Sequence, residues 1–344
     1  MEESTMKTTW KTALAGALAL VLSAVMVPFG GEATAGMYDG KVITLIVPNS
    51  PSGRMTRYAR LYAPYIAKYT GAKEVRVVNK KGGGGVKGTN FLWVQEPDGM
   101  TIAFTSVPTL ILAQLSGSEA VQFDATKFVY LGRAATEPRV MVVGGNNEIK
   151  SIQDVMSLNR PFINPSQGTD EDFYTLAILA DAIGFDLKIV TGYEGQADTG
   201  VAIIKGDGDG LLTSWAYTIP MVEAGDMRPI LTIWEERHTD YPDVPTALEV
   251  VKAEKKDAVE AIINMLAMHR GFFGPPNMDP TATAELRKAI SMASADPELQ
   301  AKGKEQGLIL LPSDGETEQK RIVQITKASQ GLKPVLKAAL DSIK

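Results

Sequence analysis

The sequence predicts an α/β protein built as two similar lobes facing one cleft, and three observations carry that expectation. Strand-like apolar runs alternate with helical ones; loops rich in glycine and serine stand at the ends of several strands; and this strand–loop–helix design occurs in both halves of the chain. The composition is that of a globular protein, with 44% hydrophobic and 22% charged residues and a formal net charge of −5 over 344 residues. With no cysteine, disulfides, thiolate metal sites and a cysteine nucleophile are all excluded. The two histidines, His238 and His269, are not spaced as a metal pair, and the acidic balance argues against nucleic acid as a partner.

Residues 1–35 read as an address. Lys7 and Lys11 form a short positive region, an apolar run covers residues 12–29, and Ala33-Thr34-Ala35 supplies a small-residue cleavage site. The run is shorter than the roughly 20 residues of a spanning helix. A cleaved secretory signal is therefore expected, with a mature chain from about Gly36, a periplasmic location and no lipid anchor.

After it, the near-continuous apolar run 41–47 reads as a strand buried on both faces. The helix 54–69 follows, with Tyr58, Leu61, Tyr62, Tyr65 and Ile66 at helical spacing. A strand at 75–79 leads into Gly82-Gly83-Gly84-Gly85 and a helix ending near Glu96; Pro97-Asp98-Gly99 turns the chain into a strand at 101–106. Such consecutive units imply parallel strands joined by right-handed crossovers. Strands at 128–133 and 140–143 are separated by Glu137-Pro138. The second half repeats the design: helix 152–158, a strand near Phe162-Ile163, a loop at 164–168, helix 171–182, strand 187–191, then Gly192-Tyr193-Glu194-Gly195 and a helix to Ile204. Gly206 to Gly210 turns into a strand at 211–215, 229–234 is the last clear strand, and helices are expected beyond Leu248.

Three sets of strand-end residues are placed to bind a ligand. Open α/β sheets bind at the carboxyl ends of strands, where unpaired N–H groups of the following helix favour an anion. The first loop contributes Ser50, Ser52, Gly53, Arg54 and Thr56; Gly53 allows close approach, and Arg54 suits a carboxylate. The second-half loop repeats this logic with Ser166, Gln167, Gly168 and Thr169, followed by Asp170, Glu171 and Asp172, which read as first-turn capping acids. Ser106, Tyr193, Gly195, Ser214 and Trp215 complete the set at other strand ends; Tyr193 and Trp215 are suited to wall an apolar ligand, Trp215 equally to a core. Gly83, Gly85 and Gly88 fit a dinucleotide fingerprint, but the next strand ends in Thr105-Ser106 where an acid is needed, so a tight packing turn near the cleft is preferred. The segment 205–210 has Lys205 at the first ligand position of a calcium loop, which favours a plain turn. His238 is expected in solvent and His269 at a helix end. No catalytic residue, metal or cofactor is expected.

Taken in order, several motifs resemble the extracytoplasmic solute receptors of tripartite tricarboxylate transporters, the Bug family. They are Ile46-Val47-Pro48 with Ser52-Gly53 and Tyr58-Ala59-Arg60; Val78-Asn79-Lys80-Lys81-Gly82-Gly83-Gly84-Gly85; Pro97-Asp98-Gly99-Met100-Thr101; Tyr193-Glu194-Gly195; Tyr241-Pro242-Asp243-Val244-Pro245-Thr246; and Gly271-Phe272-Phe273-Gly274-Pro275-Pro276. The resemblance implies a type II periplasmic binding protein, with two Rossmann-like lobes around a ligand cleft joined by a hinge. It implies a small carboxylate ligand gripped by backbone N–H groups of the first and second-half loops. It also implies delivery to the membrane permease subunits of such a transporter, and a receptor acting as a monomer. Lobe 1 is expected at 36–145 and 232–344, and lobe 2 at 146–231. The sequence departs from the family in having Ser52, Arg54 and Thr56 where a second glycine, no base and an acid are usual, which would favour a more anionic ligand. The alternative is an exported α/β hydrolase acting on a carboxylate, disfavoured by the lack of a nucleophile–base pair.

Overall fold

The apolar run Val42–Val47 forms β1, the strand that orders the first sheet of the computed structural model, which describes residues 36–343; the expected signal segment lies outside the described residues. Helix α1 (Arg54–Thr70) returns the chain so that β2 (Glu74–Asn79) pairs parallel with β1 on one side. After α2 (Val86–Trp93), β3 (Thr101–Thr105) pairs parallel on the other. The expected parallel crossovers thus hold for these three strands. The sheet then grows antiparallel: β4 (Val129–Arg133), β10 (Gly271–Gly274) and β11 (Ser313–Asp314) complete the order β11-β4-β10-β3-β1-β2.

Helices dominate beyond Leu248 as expected, with strand β10 as an addition that the sequence reading did not contain. Gly-Phe-Phe-Gly is too short to show a period, yet it is fully buried and lies between β3 and β4. Helix α3 (Val107–Leu115) is likewise additional to the sequence reading, an apolar segment buried nearly all round.

In the second sheet, β5 (Arg139–Gly144) lies between β8 (Gly210–Ser214) and β9 (Met227–Ile233), antiparallel to both. A parallel pair, β6 (Phe162–Ser166) and β7 (Leu187–Thr191), stands beside it. Helices α4 (Ile152–Met156), α5 (Glu171–Leu179), α6 (Gln196–Lys205) and α7 (Trp215–Glu223) connect these strands. The C-terminal region supplies α8 (Ala247–Val250), α9 (Lys256–Leu266), α10 (Pro280–Ala295), α11 (Pro297–Glu305), α12 (Gly315–Ala328) and α13 (Lys333–Asp341). The chain passes between the two sheets at residues 134–138 and again after Ile233.

One apolar cluster serves both sheets. Leu110 and Ile111 of α3, Phe173 and Leu176 of α5, and Ile262 and Leu266 of α9 all belong to it. From Gly36 onward the contacts form one compact unit. Burying this much side-chain area at roughly 25 cal/mol per Å² is the main stabilising term.

Ionic groups tie α5 to that core. Arg139 at the start of β5 pairs with Glu171 and, at 3.1 Å, with Asp172; His269 Nε2 lies 2.7 Å from Glu171 Oε1 and 2.9 Å from Arg139 Nη2. His269, expected to cap a helix end, is instead buried in this group, 2% exposed. Burial and Arg139 hold its imidazole well below the usual range. Burial pushes the Asp172 carboxyl up to about 7, with Arg139 opposing and Asp170 adding to the rise. His238, expected in solvent, is half-buried, its ring 4.4 Å from that of Trp215.

The glycine loop closes one gap between the sheets. Gly84 has φ +61°, and a Cβ there would lie 2.2 Å from the carbonyl oxygen of Thr169, whereas one on Gly83 (φ +56°) would meet nothing nearer than Val86 at 3.8 Å. The loop is thus the tight packing turn expected. Gly83→Ala should cost about 1 kcal/mol, the strain of a positive φ alone. Gly84→Ala should lower the melting temperature clearly more, because Thr169 must also move; equal losses would show that the contact does not form. The raised Asp172 pKa gives a second prediction. The folded state favours the protonated form, so this group's contribution to stability is lost as pH rises from about 4 through about 7. Asp172→Asn should flatten that part of the fall and match or exceed the parent's melting temperature at about pH 8. A variant less stable than the parent there would mean that the ion pair with Arg139 outweighs burial.

Candidate functional site

Loop one is held rigid by its own polar groups before any ligand is considered. Gly53 N–H donates to the Ser50 carbonyl (3.0 Å), and the buried Thr56 hydroxyl donates to the same oxygen (2.7 Å). Asn79 at the end of β2 donates to the Asn49 carbonyl (2.9 Å) and to Thr56 Oγ1 (2.8 Å). This fixes the direction in which α1 starts. Helix α1 begins on Gly53 with no side chain capping it and no acid in its first turn. A 17-residue helix therefore presents bare N–H groups and the positive end of its dipole.

That end borders a cavity of about 540 Å³, within the size range of small-molecule sites. Ser50, Ser52, Gly53, Arg54 and Arg57 form one wall; Gly195, Gln196 and Asp198 of the α6 start form another; Ala216, Tyr217 and Pro220 of α7 form a third. Helix α6 also starts on a glycine, Gly195, with no side-chain cap, although Asp198 sits in its first turn. Helix α7 differs, because Ser214 caps it by accepting from Tyr217 N–H (3.3 Å). Two uncapped helix ends thus meet across one space.

Side-chain charge around the cavity is largely cancelled from within. Arg54 pairs with Glu137 (3.3 Å), and Lys81 pairs with Glu194 (2.7 Å) across the mouth. Arg57 donates to the Gln306 carbonyl (2.6 Å). Lys81 holds the Glu194 carboxyl below its usual range. Burial lowers the Arg54 pKa, with Arg139 adding to the effect and Tyr58 opposing it. The expectation that Arg54 makes the site more cationic is thus met by a counter-charge on Glu137.

Of the residues expected at the site, Ser50, Ser52, Gly53, Arg54 and Gly195 line this cavity. Thr56 shapes loop one from beneath. Ser106 and Ser214 spend their hydroxyls capping α3 and α7. Ser166 bonds within its own turn to Gly168 (3.0 Å), Gln167 donates to Asp170 (2.5 Å), and Thr169 packs on Gly84. Asp170 in turn caps α5, so that helix end is already occupied by a carboxylate. Tyr193 is half-buried and donates its N–H to the Ser166 carbonyl (3.3 Å). Trp215 is 3% exposed and stacks on Tyr241 at 4.9 Å, which places it in a core rather than at the cavity. Sequence reasoning missed Arg57, Lys81, Gln196, Asp198 and Tyr217. The strand–glycine–helix signal that singled out loop one is also present before Gln196. The segment 205–210 is tied down by Arg160, which grips Asp209 at 2.6 and 2.7 Å.

The fold has counterparts. The receptor model of the tripartite tricarboxylate transporter family matches residues 59–335. A protein of Cupriavidus necator named for the gbd 5′ region is 24% identical over 292 residues, covering 83% of this chain and 84% of its own. The solved structure of the periplasmic binding protein BugD superposes with a TM-score of 0.71 at 20% identity, over 87% of this chain and 97% of that one. That of MatC from Rhodopseudomonas palustris, with bound malate, gives 0.67 at 18% identity, over 87% and 98%. The fold is therefore that of a periplasmic binding protein, the family is one of receptors rather than enzymes, and the hydrolase alternative has no support. This chain belongs to the tripartite tricarboxylate transporter receptor family.

Proposed function

We propose that the protein is a periplasmic solute receptor that captures a small carboxylate in the cavity between α1, α6 and α7. The observation that carries this reading is the pair of uncapped helix starts, at Gly53 and Gly195, on opposite walls of one cavity. Backbone N–H groups at α1 hold the carboxylate, with the Arg57 guanidinium beside them in the same wall. The α6 end, with Asp198 beside it, is suited to the ligand's other end through hydrogen bonds. MatC, which holds malate, has the same fold, and this supports a carboxylate as the ligand class.

The two sheets act as lobes, with the crossings at Ala134–Pro138 and after Ile233 as the hinge, and the ligand is sequestered between them. Residues 1–35 serve as a cleaved export signal. The mature receptor works as a monomer and hands its ligand to the permease subunits of a tripartite transporter.

A thermal-shift screen of the mature chain against mono-, di- and tricarboxylates and their neutral amides tests the reading, since a ligand of the folded state raises stability by mass action. A carboxylate should raise the melting temperature and its amide should not. Conversion of the carboxylate to a product, or a response to the amides alone, would contradict it. Gly53→Asp places an internal carboxylate at the N-cap, where the backbone is already extended (φ −68°, ψ 155°). Its Cβ would stand 3.1 Å from Ser50 Oγ and 3.2 Å from the Ser50 carbonyl, so the variant should fold with at most a small loss of melting temperature, and it should abolish the carboxylate response.

A further inference from the structure

Arg54 reaches the wall opposite its own helix. Its Nη1 lies 3.3 Å from Glu137 Oε1, and its Nη2 donates to the Ala216 carbonyl at 3.0 Å, in the first turn of α7. Glu137 itself lies in the Ala134–Pro138 crossing and is 2% exposed. Its other oxygen pairs with Arg270, which is 3% exposed and stands directly before β10. The Arg270 guanidinium sits over the Tyr58 ring, 4.3 Å from its centroid, with Nη1 3.8 Å from Met55 Sδ. Met55 and Tyr58 belong to the first turns of α1, so the chain of contacts returns to the helix from which Arg54 springs.

Taking the cavity as the ligand site, we propose that Arg54 is its positioning residue: a latch that ties the α1 wall to the α7 wall and to the crossing between the sheets, and not a contact to the ligand. The planar fork of a guanidinium serves two acceptors at once, which a lysine's point charge does not. One of those acceptors is a buried carboxylate. Recruiting Arg54 to a ligand would leave Glu137 short of a partner, a loss that a single ligand carboxylate does not offset. The latch therefore holds the α1 wall to the α7 wall through protein groups alone.

Amide hydrogen exchange on the ligand-free mature protein tests this independently of ligand class. In Arg54→Lys, exchange should quicken about tenfold, or about 1.4 kcal/mol of lost protection, together in residues 50–57 and 214–220. Strand β1 should be unaffected. Glu137→Gln should loosen the same two segments, and combining the two changes should add little. Should the Glu137 variant fail to fold, the Arg54 variant alone decides. Quickening confined to residues 50–57, or none, would overturn the latch. A normal latch with no carboxylate response in the thermal-shift screen would instead count against the proposed ligand class alone.

Discussion

Glu137 is the constraint on which the arrangement of the cleft depends. A carboxylate removed from water needs ionic partners on both oxygens, and here they come from separate elements, Arg54 on α1 and Arg270 ahead of β10. Because Glu137 lies where the chain leaves the first sheet for the second, its two pairs fix the crossing against the first sheet, and the Arg54 bond to the Ala216 carbonyl extends that hold to α7. Breaking such a buried pair costs about 3–5 kcal/mol, so a hinge motion at this crossing turns about Glu137 and leaves its pairs intact. The second ionic group, Arg139 with Glu171, Asp172 and His269, starts two residues later and anchors α5 in the same way. The first group thus sets the start of α1 at the cavity, and the second sets the start of α5 beside the core.

Charge placement then explains which of those helix starts are open. Helix α5 is capped by Asp170 and followed by acids already engaged with Arg139, so its end repels an anion. Helices α3 and α7 are capped by serine hydroxyls. What is left is α1, with no acid and no cap, and α6 opposite it. On the proposed reading the second-lobe grip lies at residues 195–198, while the loop at 166–169 is a packing surface for Gly84. With Arg54 and Lys81 neutralised by Glu137 and Glu194, the backbone dipoles of the helix starts and the Arg57 guanidinium supply the attraction for a carboxylate.

Much of this was legible in the sequence, and the boundary of legibility is physical. Local patterns identified β1, α1, the glycine turn and the repeat of strand–loop–helix units, because those signals come from neighbours within a few turns. Loop one and Gly195 could be read as ligand-facing because strand ends and helix starts are local features. Glu137 could not be read in this way. Its partner Arg54 is 83 residues away, and only the fold shows that this cation is already engaged. The same holds for Trp215, which a strand-end position suggested for the site but whose ring is covered by Tyr241 and His238. Strand β10 escaped notice because four residues carry no periodicity, and its place in the sheet comes from β3 and β4.

The most direct measurement is an amide ¹H–¹⁵N titration of the mature protein with the carboxylate that stabilises it most. The largest shifts should fall on the amides of residues 53–56 and 195–198, the two open helix starts, with the amides of 166–171 little changed. Shifts centred on 166–171, with α1 silent, would contradict the account and return the grip to the loop that the structure shows as closed by its own acids.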